Sequence, residues 1–180
     1  MPRDRFDQLM IVGLVAVLIF TAILMAGAGP RDNRQDVQAA HQRIEREMLQ
    51  QARAAFIDRN YAPVIALRDN GSLPDALLKL EELNRTLPGE PHNDLLSGDI
   101  LLRMGQFDRA VSKLAKAVKN NADYVDSASP MNQRPLIESA VSEGLPLIRD
   151  RLRVQPDNRT LAQVLKDGYY LQSRLAGGCE

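Results

Sequence analysis

The sequence predicts an all-α protein. Its expected parts are an N-terminal transmembrane helix, a long linker helix, an α-solenoid of helical hairpins and a C-terminal capping helix. Three observations carry this. Leu and Ala, both strong helix formers, dominate the 180 residues, and β-branched residues are few beyond the N-terminal region. Residues 9–28 form an uncharged run of twenty, long enough to cross a bilayer core as a helix. The middle of the chain resembles itself at one fixed offset, that from Gly71 to Gly105. A period of that length marks stacked helical units.

The elements follow in order. Residues 1–8 are a short N-terminal tail. The run "LMIVGLVAVLIFTAILMAGA", 9–28, carries one hydroxyl and no charge. It reads as an uncleaved anchor rather than a signal peptide, although "AGA" at 26–28 resembles a cleavage site. The apolar run exceeds the usual length, and the residues before it are nearly neutral. Arg3 and Arg5 precede the span and Arg31, Arg34 and Arg43 follow it, so the positive-inside rule gives no decision. With only eight residues ahead of the span, the default is an N-inside insertion with the C-terminal domain exported. The expected location is a bacterial inner membrane, with that domain in the periplasm.

After Gly29-Pro30, residues 31–60 place Val37, Ala40, Ile44, Met48, Ala52 and Phe56 every three or four positions. That is a narrow apolar stripe on a charged helix. It reads as a stalk that docks on the first repeat, because Glu47 falls on a seam position and spoils a coiled coil. Pro63 should break or kink it.

The repeat is read by superposition. Gly71 matches Gly105, Leu73 matches Phe107, Ala76 matches Ala110 and Leu80 matches Leu114; Leu67 matches Leu101 and Leu77 matches Val111. A helical hairpin cannot bury its apolar face alone, so such units stack. Gly105 lets a helix end with a positive φ, and Ala110 is small enough for the two helices to approach. Residues 57–90 and 91–124 resemble two tandem tetratricopeptide repeats. The second carries the whole pattern Gly98, Gly105, Phe107, Ala110, Leu114 and Ala117. The first has Gly71, Ala76, Leu80, Leu83 and the closing Pro88, with Val64 in place of Gly98 and Pro63 inside its first helix. A third, degenerate unit, 125–158, has Ser139 at the joint, Gly144 for the alanine and Arg151 for the last small residue. The stretch 120–135 reads as a polar loop. Residues 159–180 form a capping helix and tail, with Leu161, Val164, Leu165, Tyr169 and Leu171 covering the open end of the stack.

The composition excludes several classes of function. Twenty-three basic residues balance 23 acidic ones, and Trp is absent, so there is neither a basic footprint nor a stacking surface for nucleic acid. His41 and His92 are far apart in sequence and read as solvated. No metal-binding spacing and no phosphate loop is present, and Glu45/Glu47 and Glu81/Glu82 are helix-surface charges. The reading is of no enzyme, no cofactor, no metal and no small-molecule substrate. Cys179 is the single cysteine and so forms no intrachain disulfide. An intersubunit contact or a redox or metal role through it stays open beside an unremarkable exposed thiol.

The resemblance to tetratricopeptide proteins implies a concave surface that binds peptides or other protein subunits. The residues expected to face it are Tyr61, Arg68 and Asp69 from the first unit, and Leu95, Asp99, Leu102 and Arg103 from the second. The expected role is a membrane-anchored scaffold, an accessory subunit of a larger complex in the cell envelope. A transient assembly factor, such as the helpers of cytochrome c maturation, is the alternative.

Overall fold

The computed structural model describes residues 13–22 and 33–177, with side chains from residue 40 onward in the second stretch. All regular structure among the described residues is helical: α1 (13–22), α2 (Asn33–Asp69), α3 (Leu73–Thr86), α4 (Pro91–Arg103), α5 (Phe107–Asn120), a 3-10 turn at Ala122–Tyr124, α6 (Arg134–Val154) and α7 (Arg159–Leu175). The chain divides into two units, Met1–Leu49 and Gln50–Glu180.

In the first unit, α1 exposes Leu14, Val17, Leu18, Ile19 and Phe20. Its hydroxyl is satisfied internally: Thr21 Oγ1 donates to the carbonyls of Val17 and Leu18 at 2.9 and 3.0 Å. Among the described residues no helix is long and apolar enough to cross a membrane. Of the apolar run 9–28, only residues 13–22 are described; its two ends lie outside the described residues.

The second unit is built from helix pairs, and the first two are copies of one joint. At the end of α2, Gly71 N–H donates to the Arg68 carbonyl at 3.0 Å and Ser72 N–H to the Leu67 carbonyl at 2.9 Å. One repeat later, Gly105 N–H donates to Leu102 and Gln106 N–H to Leu101, both at 2.9 Å. This pair of bonds closes a helix through a residue in the left-handed region, and Gly71 and Gly105 take φ of 81° and 71°. The second helices, α3 and α5, begin at Leu73 and Phe107 and each run 14 residues. Ala76 and Ala110, both fully buried, sit one turn into them.

Packing follows the same plan. Tyr61 and Val64 of α2, Ala76 and Leu80 of α3, and Leu96 and Ile100 of α4 form one apolar cluster. A larger one joins Leu95 of α4 with Val111, Leu114 and Val118 of α5, Ile137 and Ile148 of α6, and Val164 and Leu171 of α7. Fully burying such a side chain contributes about 1.5–3 kcal/mol. Helix α4 reaches α5 at Gly98, where an added Cβ would lie 2.5 Å from Leu114 Cγ. Helix α6 reaches α5 at Gly144, opposite Val111 and Phe107.

Several sequence expectations are corrected. Pro63 does not break the stalk: α2 runs unbroken to Asp69, with Pro63 on its exposed side. The apolar stripe is exposed at Ile44 and Met48, and packing begins at Phe56. The expected joint at Ser139 does not exist. With no glycine there to take a left-handed φ, α6 continues as one helix of 21 residues through Pro146. The turn comes at 155–158 instead, where Asn158 caps α7 by accepting Leu161 N–H at 3.1 Å. The third pair is therefore α6 and α7, not a hairpin within 125–158, and 159–175 is its second helix. Tyr169 is 48% exposed, whereas Leu161, Val164 and Leu171 are buried and Leu165 and Tyr170 pack on the core. The loop 120–135 holds one helical turn and buries Tyr124, whose carbonyl accepts Gln133 N–H at 2.8 Å.

Candidate partner-binding groove

The helix pairs leave a cavity of about 530 Å³ lined by Arg68 of α2, Asp99, Leu102 and Arg103 of α4, Gln133 at the entry to α6, and Leu136, Ser139 and Glu143 of α6. The first helices of the three pairs thus share one surface. This follows from the repeat: Arg68 and Leu102 are one repeat apart and occupy the same position of their units.

Asp99 organises the site. Its carboxylate is nearly buried, and both oxygens are engaged: Oδ2 accepts from Arg68 Nη1 at 2.7 Å and Oδ1 from Arg103 Nε at 2.9 Å. Arg68 also donates Nε to Asp69 Oδ1 at 2.8 Å. That hydrogen bond is the chief cause that lowers the Asp69 carboxyl below its usual range. It is also the chief cause that raises the Arg68 guanidinium. Charge-assisted bonds are shorter and stronger than neutral ones, and here they converge on the nearly buried Asp99 carboxylate. The two guanidinium groups are thereby fixed in direction before anything binds. Leu102 and Leu136, both half-buried, supply apolar surface between them and the α6 wall, where Ser139 Oγ donates to Glu143 at 2.5 Å.

Of the seven residues expected to face a groove, Arg68, Asp99, Leu102 and Arg103 line this one. Asp69 is exposed and is not part of the lining, but it accepts from Arg68 Nε. Tyr61 and Leu95 do not belong: they are 0% and 2% exposed. They too are one repeat apart, so a single error of helix face explains both. Sequence reasoning missed the entire α6 wall, because the joint expected at Ser139 placed that stretch in a turn.

A second polar cluster lies deeper. Arg53 of α2 forms a two-pronged ion pair with Glu90, the residue that caps α4. Beneath it His92 packs edge-on against Tyr61, with centroids 4.8 Å apart at 73°, and lies 6.3 Å from Tyr124. His92 is therefore buried, which corrects its expected solvation. The cause is local: Glu90 and Pro91 start α4 so that its second residue points inward. Burial lowers the His92 imidazole to about 4 and raises the Tyr61 and Tyr124 phenols.

Among the described residues no group of His, Cys, Asp and Glu side chains could hold a metal ion. Cys179 lies outside the described residues. Comparison with protein-family models, with curated proteins and with solved structures gives no match.

Proposed function

We propose that this chain is a membrane-anchored scaffold of the tetratricopeptide type, which binds a protein partner in the groove between α2, α4 and α6. The observation that carries the reading is the Arg68–Asp99–Arg103 network. It presents two oriented cations beside Leu102 and Leu136 on a rigid surface shared by three helices. Fixed charges supply direction and specificity, and the leucines supply apolar contact. The lining is read as a set of binding groups, and the role is proposed as non-catalytic.

The membrane tether is the second part of the proposal. Residues 9–28 have the length and purity of a spanning helix, and the exposed apolar surface of α1 with its internally bonded Thr21 supports that use. The groove domain then works as an accessory subunit of a membrane complex in the cell envelope, on the periplasmic side of a bacterial inner membrane.

The test is co-purification of the full chain against the variant Arg68→Ala, Asp99→Ala, Arg103→Ala. Loss of the partner at unchanged helicity supports the groove, and a partner retained at full yield removes it. Fixed stoichiometry through purification identifies a subunit. A partner that leaves during purification points to the assembly-factor role instead.

A further inference from the structure

We propose that His92 is an acid-operated latch, holding the end of α2 against α4 while neutral and releasing it when protonated. The geometry comes from three elements. His92 is 8% exposed and sits between Tyr61 of α2 and Tyr124 of the 3-10 turn. Its Nδ1 has no hydrogen-bond partner among the described residues, and neither has the Tyr61 hydroxyl. A neutral imidazole is tolerated in such a place. An imidazolium is not, because a buried charge needs an acceptor or a counter-ion.

The charged and titratable groups that act on His92 decide what protonation does. From α2 come the guanidinium groups of Arg53 and Arg68, which repel a second cation, and the phenol of Tyr61. From the 3-10 turn comes the Tyr124 phenol. The attraction comes from Glu90, which already accepts His92 N–H at 3.4 Å as the helix cap. Both Glu90 oxygens are engaged by Arg53, Oε2 from Nη1 at 3.0 Å and Oε1 from Nη2.

A protonated His92 therefore competes with Arg53 for one carboxylate. The Arg53–Glu90 pair ties α2 to the turn that begins α4, so winning that competition unfastens the helix. If α2 opens instead to let water reach the ring, the consequence is the same. The buried imidazole titrates at about 4, so the event belongs to the acidic range around that value.

The chain has no Trp, so Phe56→Trp gives a single reporter at a position packed on the α2–α4 core. The full chain carrying it, in detergent micelles, is titrated from pH 7.5 to 3. The expected result is a red shift of emission while far-UV helicity is retained. In the same background His92→Phe keeps the aromatic contact and His92→Gln keeps a polar group, and both should abolish the shift. If His92→Phe fails to fold, His92→Gln decides. A shift that persists in the folded histidine variants, or one that appears only together with loss of helicity, overturns the latch.

Discussion

Gly98 lies directly beneath Leu114: a Cβ added at the glycine would stand 2.5 Å from Leu114 Cγ and 2.7 Å from its Cδ2. A side chain there requires the Leu114 side chain to shift or α4 to move away from α5. Gly98→Ala should therefore destabilise the fold by about 1–3 kcal/mol, the cost of overpacking. Urea unfolding followed by circular dichroism measures it. An unchanged midpoint would show that the two helices do not approach as described.

Ala110 makes the same argument from the other helix. It is fully buried one turn into α5, at the position that Ala76 holds in α3. Ala110→Leu should cost about 1–3 kcal/mol and lower the thermal midpoint. The neighbouring Arg109, exposed on the same helix, is the control. Arg109→Leu should leave the midpoint nearly where it was.

His92 gives stability a definite pH dependence. Its imidazole titrates near 6.5 when unfolded and about 4 when folded, with burial as the main cause. Between those values the unfolded chain binds more protons, so stability is complete above 6.5 and falls as the pH drops towards 4. The full difference corresponds to about 3 kcal/mol. Unfolding free energies at pH 7, 6, 5 and 4.5 should decline in wild type and decline less in His92→Gln. Parallel curves for the two would assign the acid sensitivity elsewhere.

The anchor proposal has its own test. Carbonate extraction of membranes should leave the full chain in the pellet, whereas a variant without residues 1–28 should move to the supernatant. Mass spectrometry of the pelleted chain should find its N-terminus ahead of Leu9. Recovery only of species that start near Gly29 would mean that the apolar run is removed as a signal peptide.

How much was legible depended on whether a feature was local. The joints at Gly71 and Gly105 could be read because a left-handed φ at the end of a helix selects glycine, and the two stand at the same position of successive repeats. The continuity of α6 could not be read. Alignment to the repeat put Ser139 at a joint, while the local sequence, lacking a glycine there, simply stays helical. The groove was half visible. Arg68, Asp99, Leu102 and Arg103 were found through periodicity, but Glu143 and Leu136 were hidden behind the misplaced joint. Tyr61 and Leu95 failed for one reason. Which face of a helix is covered depends on the neighbour packed against it, and no residue on the helix itself reports that neighbour.

The most direct measurement of the central claim is site-specific photo-crosslinking in cells. A photoreactive residue at Leu102 sits inside the groove, and one at Leu78 sits on the outer face of α3, where the leucine is 68% exposed. A discrete crosslinked partner from Leu102, absent from Leu78 and lost when Arg68, Asp99 and Arg103 are alanine, is the result this account predicts. Equal crosslinking from Leu78, or a Leu102 adduct undiminished by the three alanines, would contradict it.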